Sequence, residues 1–340
     1  MSDMPVQTHW LYEEGVGEVR AALVSHGRIL EGAIERSEGG ARAGAILPGR
    51  LAETIIPRKR GIARLDSGEE VLIEPIPPRV AEGSAILVEI FREAIAESGL
   101  EGIRPKRAVG RVAQPGSRAR PAPTLAERIE ASGHPVHLCR AHEEDWLEQC
   151  GWSDLLDEAM SGEVVREDAS LRIFPTPAMI LIDIDGIAPP AQLGPKGAKL
   201  SAQAIRRMGL AGSIGIDLPT MNNKDERQIA AAQIDKYLPQ PFERTAVNGF
   251  GFVQIIRRRE RASLMEILRG DPLLAAALAA LRVAERHGGG SGPVALTVSP
   301  DVARLIGRAP DWARQVERRR GGALTVVGDA GLDKERFHAG

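Results

Sequence analysis

The chain has 340 residues, of which 43% are hydrophobic and 26% charged, and this composition indicates a globular protein of two or three compact units. Its formal net charge of -2 at pH 7 argues against a protein that is basic overall, so any nucleic-acid contact must come from local groups of cations. The chain has two cysteines, Cys139 and Cys150, whose spacing is not that of a Cys-x-x-Cys pair. We expect no disulfide framework and a reducing environment. We expect a cytoplasmic location and no membrane segment, because the sequence has no long apolar run and no signal-peptide pattern.

The first predicted elements are a hairpin and a small barrel. Residues 18–36 contain two apolar-rich runs around Gly27, which can adopt the positive φ of a tight turn, and so predict a β-hairpin. Short strands separated by turns follow, a pattern typical of an OB-type barrel, whose open face can bind a nucleic-acid strand. The predicted strands are residues 45–51, 53–57, 61–65, 71–74 and 85–91.

Two basic stretches accompany these strands. Arg58, Lys59 and Arg60 lie between two strands, where they either follow a phosphate backbone or form a solvated loop. Residues 104–120 combine six basic residues with proline and glycine and contain no acid, which predicts a flexible linker whose charge would suit RNA capture. The next predicted elements are a helix at 124–131, a strand at 136–139 and a helix at 144–160 that is interrupted at Gly151.

Acidic residues end the two most apolar runs of the chain. Residues 179–182 and 214–216 predict strands buried in a sheet that is covered on both faces. Asp183 and Asp185 follow the first run and point to the same face if that strand continues, and Asp217 follows the second run.

A helix between the two runs would bring these acids together. Residues 200–208 predict that helix, after a loop at 194–199, and it returns the chain to the same end of the sheet. Carboxylates that meet at such an edge are natural ligands for Mg²⁺. Aspartate also follows strands simply because it starts turns, so both interpretations stand.

The last third of the chain predicts a basic group and a small α/β unit. Four arginines, Arg257, Arg258, Arg259 and Arg261, come directly after a predicted strand at 247–256, which favours phosphate contact over a merely solvated face. Phe250 and Phe252 can either stack on a base or fill the core. The other predicted elements are helices at 222–237, 273–286 and 300–306 and strands at 294–298 and 323–327.

Three ordered blocks of this sequence resemble the catalytic core of the ribonuclease E and G family. They read TPAMILIDIDG, AGSIGIDLPTMNNKDERQ and TAVNGFGFVQIIRRRERAS, where the family typically has TEALTTIDVN, GGIIIIDFIDMNNEDHRR, and SVNGF followed by GLVEMTRKR. The resemblance is strongest over residues 174–268 and looser over most of the remaining chain. A match to all three blocks in this order is far more specific than a match to any one of them.

The resemblance implies a Mg²⁺-dependent endoribonuclease that cleaves single-stranded RNA and leaves 5′-phosphates. The family's two metal-binding aspartates correspond to Asp183 and Asp217. The family's asparagine is Asp185 here, an outer or additional ligand, while a second family aspartate is Thr220 and a glutamate is Gln254. Oxygen ligands also accept Mn²⁺. No zinc is expected because the Cys-Pro-x-Cys link is missing, and the Arg-Thr pair that marks the family's 5′-end sensor is not found.

The implied architecture is a multidomain α+β and α/β chain, with possible homo-oligomerisation through its last domain. An OB-type barrel is inserted in a ribonuclease H-like subdomain, followed by a DNase I-like α/β catalytic core and a small C-terminal α/β domain. The expected boundaries are 1–41 for the hairpin of the ribonuclease H-like subdomain, 42–95 for the RNA-binding barrel, 96–122 for the basic linker, 123–170 for the remainder of that subdomain, 171–270 for the catalytic domain and 271–340 for the C-terminal domain.

Two other functional classes remain open on the sequence. The replaced aspartate and asparagine fit a noncatalytic RNA-binding protein with a decayed metal site. The near-neutral charge also permits a structural or assembly protein that does not bind RNA.

Overall fold

The computed structural model describes residues 7–36, 40–99, 102–167, 169–287, 292–333 and 337–339. The strands in the first part of the chain are β1 (His9–Glu14), β2 (Glu18–Ser25), β3 (Arg28–Arg36), β4 (Ile46–Ile56), β5 (Arg60–Leu65), β6 (Glu70–Ile73), β7 (Ala85–Arg92), β8 (Ile95–Gly99), β9 (Gly102–Lys106) and β10 (Ala108–Val112). The later strands are β11 (Val136–Leu138), β12 (Glu163–Val165), β13 (Ser170–Pro175), β14 (Ile180–Asp185), β15 (Gly212–Asp217), β16 (Glu243–Arg244), β17 (Phe252–Arg257), β18 (Val294–Val298), β19 (Leu324–Gly328) and β20 (His338–Ala339). The helices are α1 (Leu125–Glu130), α2 (Trp146–Gln149), α3 (Trp152–Ser161), α4 (Pro190–Met208), α5 (Lys224–Tyr237), α6 (Leu264–Gly270), α7 (Pro272–Arg286), α8 (Pro300–Arg308) and α9 (Pro310–Arg320).

The chain folds into two compact units, each built from separate segments of sequence. Unit 1 comprises Met1–Glu38, Ile129–Leu156 and Ile267–Gly340. Unit 2 comprises Gly39–Arg128 and Asp157–Glu266. Both units mix helices with sheets, so the predicted α/β character is confirmed at this level.

Unit 1 contains a four-stranded sheet of order β11-β1-β2-β3 and a three-stranded sheet of order β19-β18-β20. The predicted hairpin at 18–36 is β2 and β3, and its turn residues His26 and Gly27 have φ values of 49° and 69°. These positive values explain why glycine is useful there. Leu278 and Leu281 of α7 pack with Leu296 of β18 in a buried apolar core.

A buried group of charges lies beside that sheet in unit 1. Arg20 of β2 contacts Glu13 of β1 at 2.6 Å and Asp145 at 2.8 Å. Arg286 of α7 contacts Glu13 at 3.0 Å and Asp145 at 3.3 Å. We call these four residues the charge network. Each of its members has two partners of opposite charge, which offsets the cost of burying them.

Unit 2 begins with a closed five-stranded barrel of order β10-β6-β5-β4-β7. Its topology, with β10 parallel to β6 and the other neighbours antiparallel, is compatible with the OB type. The sequence prediction was wrong in two places: residues 45–51 and 53–57 are one continuous strand, β4, and the basic stretch at 104–120 includes β10, which closes the barrel. The same stretch overlaps β9, which forms a hairpin with β8.

The second part of unit 2 is a six-stranded sheet of order β12-β13-β14-β15-β17-β16. Strands β14 and β15 are parallel, and α4 connects them. The residues 194–199, predicted as a loop, lie inside α4. A Cβ built on Gly197 would lie 2.7 Å from two carbons of Ile184, so glycine allows α4 to approach β14 closely. Strand β12 pairs with β13 at one edge of the sheet.

No helix of the described residues is long and apolar enough to cross a membrane.

Candidate active site

Two aspartates occupy paired positions on neighbouring strands of the six-stranded sheet. In the register of the parallel pair β14 and β15, Asp183 lies opposite Asp217. Neighbouring strands are about 4.8 Å apart, so side chains that leave the same face at paired positions are close neighbours. The structure therefore brings together the two acids that the sequence predicted at this edge.

The acids point away from the helices. Ile182 and Ile184 alternate with Asp183 along β14, and both isoleucines are buried. Gly197 of α4 approaches Ile184, so the helical layer covers the isoleucine side of the sheet. We call the opposite side, which carries Asp183 and Asp217, the outer face.

The outer face is open to solvent, which corrects the prediction that both faces are covered. Its apolar side chains are substantially exposed, including Val165, Phe174, Leu181 and Ile256. The runs at 179–182 and 214–216 are apolar enough for burial on both sides, but the layer formed by α4 covers only one of them. The acids thus stand on an accessible surface and not in the core.

Asp185 lies two positions beyond Asp183 on the same strand and the same face, as predicted from the alternation. Its carboxylate is 3.6 Å from the guanidinium of Arg172, which lies on β13 opposite Asp183. Both side chains are more than half exposed, so this ion pair is weak and can rearrange. Asp185 is therefore at the edge of the acid pair, with a cation as its neighbour.

An aromatic ring lies over Gly215, two residues before Asp217 on β15. Phe252 of β17 is the register partner of Asp217, and a Cβ built on Gly215 would lie 2.5 Å from the Cζ of Phe252. The same imaginary Cβ would lie 3.1 Å from a methyl carbon of Leu181. Gly215 thus leaves room for the Phe252 ring to lie over β15, on the side where Leu181 of β14 also approaches.

Polar residues continue this surface away from the acids. The side-chain amide of Gln254 donates a 3.0 Å hydrogen bond to the hydroxyl of Ser213. Gln254, which replaces a glutamate of the family that this sequence resembles, is thereby engaged with a neighbouring strand. Because Gln254 is not an acid, Asp183 and Asp217 are the carboxylates at this part of the outer face.

A tight turn before β17 adjoins the acids. The Asn248 side-chain oxygen accepts hydrogen bonds from the backbone N–H groups of Phe250, at 2.9 Å, and Phe252, at 3.0 Å. Thr220 donates its hydroxyl to the Phe250 carbonyl at 3.3 Å. The strand predicted at 247–256 begins only at Phe252, because the preceding residues form this turn.

The two carboxylates of Asp183 and Asp217 suit a hard divalent cation that needs few protein ligands. Mg²⁺ is commonly held by one or two carboxylates, with water and substrate oxygens completing its shell. Asp183 and Asp217 would supply those two carboxylates. No group of three or more His, Cys, Asp or Glu side chains that could hold a metal occurs among the residues with described positions.

The arginines predicted to contact RNA leave the sheet at the other end. Because β17 runs antiparallel to β15, Arg257 pairs with Gly212, five residues or about 16 Å along the strand from Asp217. Arg257 donates to the carbonyl of Leu210 at 2.9 Å, and Arg259 contacts Glu266. These arginines cannot hold the same phosphate as the acid pair.

The remaining two arginines of that group also have protein partners. Arg261 donates to the carbonyl of Ala43 at 3.2 Å and lies 3.6 Å from Glu93, so it fastens the end of the sheet to the barrel of unit 2. Arg258 contacts Glu260 at 3.2 Å, but its side chain is largely exposed and stays available to a phosphate.

The predicted basic group of the barrel lies in the turn between β4 and β5. Arg58 has a positive φ of 61° and is exposed together with Lys59. Arg60 contacts Glu74 of the barrel at 3.0 Å. In OB-type barrels this turn is one of the loops that bind nucleic acid. The structure thus keeps Arg58 and Lys59 on an accessible turn and pairs Arg60.

Sequence reasoning missed Arg172 and the packing of Phe252 on Gly215. Both depend on which strands are neighbours and in which register, information that a local pattern does not contain. The alternation along residues 170–175 was a usable signal, because it places Arg172 and Phe174 on the face opposite the buried Leu171 and Ile173.

Neither a scan against models of protein families nor a search of the curated proteins gives a match. The geometry itself consists of a carboxylate pair on an open sheet face, with an aromatic ring and a braced turn beside it.

Proposed function

We propose that this chain is a Mg²⁺-dependent endoribonuclease of the ribonuclease E and G type, which cleaves single-stranded RNA. The observation that carries the proposal is the pairing of Asp183 with Asp217 on parallel strands, with both side chains on the outer face. Two carboxylates held this close repel each other unless a cation lies between them. The three sequence blocks that resemble the family converge on these same strands.

In the proposed mechanism Asp183 and Asp217 hold the cation. Bound Mg²⁺ would supply an activated water and stabilise charge on the scissile phosphate. Asp185 takes part as an outer ligand, and the exposed Arg172 beside it can contact the phosphate backbone. The products carry 5′-phosphates, as the resemblance implies.

The shape of the site supports a polymeric, unstructured substrate. The acids lie on an open sheet face and not at the bottom of a cleft, so a chain can pass across them without having its ends enclosed. The exposed turn with Arg58 and Lys59 provides cations for the phosphate backbone elsewhere in unit 2. A single strand of RNA has the flexibility to follow such a surface.

A noncatalytic RNA-binding protein is the second candidate. It is favoured by the small number of acids, since the described parts of the chain bring no three metal-binding side chains together. Thr220 and Gln254, which stand where the resembling family has carboxylates, are hydrogen-bonded to protein groups here.

A cleavage assay separates the two candidates. The purified chain is incubated with a 5′-labelled unstructured RNA in Mg²⁺, in Mn²⁺ or in EDTA, and the products are resolved on a gel. We expect metal-dependent cutting that falls about a hundredfold or more in Asp183→Asn and in Asp217→Asn, because each loses a ligand charge. Asp225→Asn is the matched control, since Asp225 is an exposed acid at the start of α5.

The possible outcomes of this assay support different candidates. RNA binding without metal-dependent cutting would support the noncatalytic candidate and contradict the nuclease. Cutting that persists in both aspartate variants would show a contaminating enzyme or another site. A chain that does not bind RNA even at low salt would contradict both candidates and leave the assembly role.

A further inference from the structure

We propose that Phe250 is the residue on which a nucleobase of the bound RNA stacks, beside the acid pair. This inference rests on the proposed function, because it names how the same site holds its substrate. It makes Phe250 a binding and positioning residue and gives it no part in the chemical step.

The first observation is the exposure of the ring. Phe250 is 83% exposed, the largest exposed fraction among the described phenylalanines. Single exposed apolar side chains are common on protein surfaces, so exposure alone carries no argument. What distinguishes Phe250 from other exposed apolar residues is the turn that carries it.

The second observation is that the turn carrying Phe250 is tightly braced. The Asn248 side chain accepts from the N–H groups on both sides of the exposed ring, those of Phe250 and Phe252. Gly251 has a φ of 95°, which a residue with a side chain rarely adopts. The Gly251 N–H also donates to the Asn248 carbonyl at 3.1 Å. An exposed ring on a fixed backbone loses little conformational freedom when it binds a flat partner.

The third observation is that this turn is joined to the loop after Asp217. Leu218 donates its N–H to the Gly251 carbonyl at 3.3 Å, and Thr220 donates its hydroxyl to the Phe250 carbonyl. A Cβ built on Gly251 would lie 2.1 Å from the Leu218 carbonyl oxygen, so the two backbones are in direct contact. The position of Phe250 is therefore set relative to Asp217.

Phe252 cannot take the same role. Its ring is packed over Gly215, and so has one face covered by protein. Phe250 keeps its ring in solvent at the same edge of the sheet.

The chemistry of the partner follows from these features. A flat apolar ring next to a cation site that holds phosphate suits a base attached to that phosphate, and every base has a stacking face. Stacking tolerates any sequence, so Phe250 would add affinity with little base preference. A duplex keeps its bases stacked internally, and the ring would therefore favour single strands.

The test measures binding in the absence of cleavage. Fluorescence anisotropy with a short labelled oligouridylate, in Ca²⁺ and with the RNA shown intact on a gel, is compared with the same ribose-phosphate backbone lacking bases. We expect Phe250→Ala to bind oligouridylate about five- to hundredfold more weakly and to bind the abasic strand unchanged. Phe250→Trp should keep the affinity, and its added indole fluorescence should fall when RNA binds.

Ile229→Ala is the matched control, because Ile229 is also an exposed apolar residue of unit 2 but lies on α5. Equal affinity of Phe250→Ala and the unchanged chain for oligouridylate would overturn the inference. Equal losses on the abasic strand would also overturn it, because they would show a structural role. A loss confined to the base-containing strand would support it even if the chain proved unable to cut RNA, which would refute the nuclease alone.

Discussion

Gly215 lies at the middle of the outer face, where the ring of Phe252 crosses its strand. Alternation along β17 places Phe252 on the same face as Asp217, and any side chain at position 215 would occupy the space of that ring. A displaced ring would move over the acid pair or into solvent. Gly215 therefore determines where the Phe252 ring lies on the outer face.

Gly215→Ala should destabilise unit 2. The added Cβ would lie 2.5 Å from the Cζ of Phe252, so the ring must move, and overpacking of this kind typically costs about 1–3 kcal/mol. Urea unfolding measures the change. Gly249→Ala is the control, since a Cβ there meets nothing within 4 Å. If the two variants are equally stable, the ring is not held as described.

The acids were the part of the site that the sequence could predict. Asp185 and Asp217 are the last residues of β14 and β15, Asp183 lies two residues before Asp185, and this spacing correctly placed Asp183 and Asp185 on one face. Arg172 could not be predicted as their neighbour, because its pairing with Asp183 depends on the register of β13 with β14.

At the scale of elements, the β4–β5 hairpin presents its cations differently from the rest of the barrel surface. Arg64 on β5 is 3.2 Å from Glu70, and Arg111 on β10 is 2.8 Å from Glu89. Arg58 and Lys59 are exposed in the turn itself. Cations that are already paired with carboxylates release fewer counterions when they meet a phosphate, so the turn should dominate any salt dependence.

Replacing both turn cations, as Arg58→Asn and Lys59→Ser, should lower the salt dependence of RNA binding. Each lost phosphate contact reduces the slope of log K against log salt by about 0.7 for a single strand, so we expect a slope smaller by about 1.4. Asparagine tolerates the positive φ of Arg58. Titrations over a series of KCl concentrations give the slope.

Arg64→Ser provides the control for that measurement, because it removes a cation paired with Glu70 on the same barrel. It should leave the slope nearly unchanged. A smaller slope in Arg64→Ser than in the turn variant would show that RNA follows the strands of the barrel and not its turn.

Elements with strong local patterns were predicted well, and those defined by distant pairing were not. The strand at 294–298 and the break at Gly151 match β18 and the gap between α2 and α3. β10 was predicted to be part of a linker, because its few apolar residues lie in a basic stretch. They form a strand only by pairing with β6 and β7, which are distant in sequence. The sequence also did not reveal that β17 runs antiparallel to β15, which puts the arginines after β17 at the opposite end of the sheet from Asp217.

At the scale of the whole molecule, the charge network holds together the three chain segments of unit 1. Glu13 and Arg20 belong to the first segment, Asp145 to the second and Arg286 to the third. Burial disfavours the charged form of Asp145, but ion pairing and hydrogen bonding with Arg20, together with Arg286, outweigh it and hold its pKa below the usual value.

Asp145→Asn should lower the free energy of unfolding by about 2 kcal/mol at pH 7, because Arg20 and Arg286 each lose a charged partner but keep Glu13. With its pKa depressed in the folded state, Asp145 stabilises fully above its unfolded pKa of about 4 and loses this effect as pH falls through the folded value. The difference between the two proteins should therefore shrink in acid. Urea unfolding between pH 3 and 7 gives this profile.

Asp311→Asn is the control, because Asp311 is also paired with an arginine but is exposed on α9. It should leave stability nearly unchanged at every pH. A difference for Asp145→Asn that persisted undiminished at the lowest pH would mean that the carboxylate acts through packing and not through its charge.

The interleaving of the two units sets an order of events during translation. All of unit 2 has been synthesised once Glu266 is added, whereas the first segment of unit 1 cannot meet Arg286 until the ribosome has also added α7. The first segment of unit 1 is thus synthesised before unit 2 but meets α7 only after it, and a ribosome that stalls between Glu266 and Arg286 would leave a nascent chain in which Glu13 lacks one of its two arginine partners.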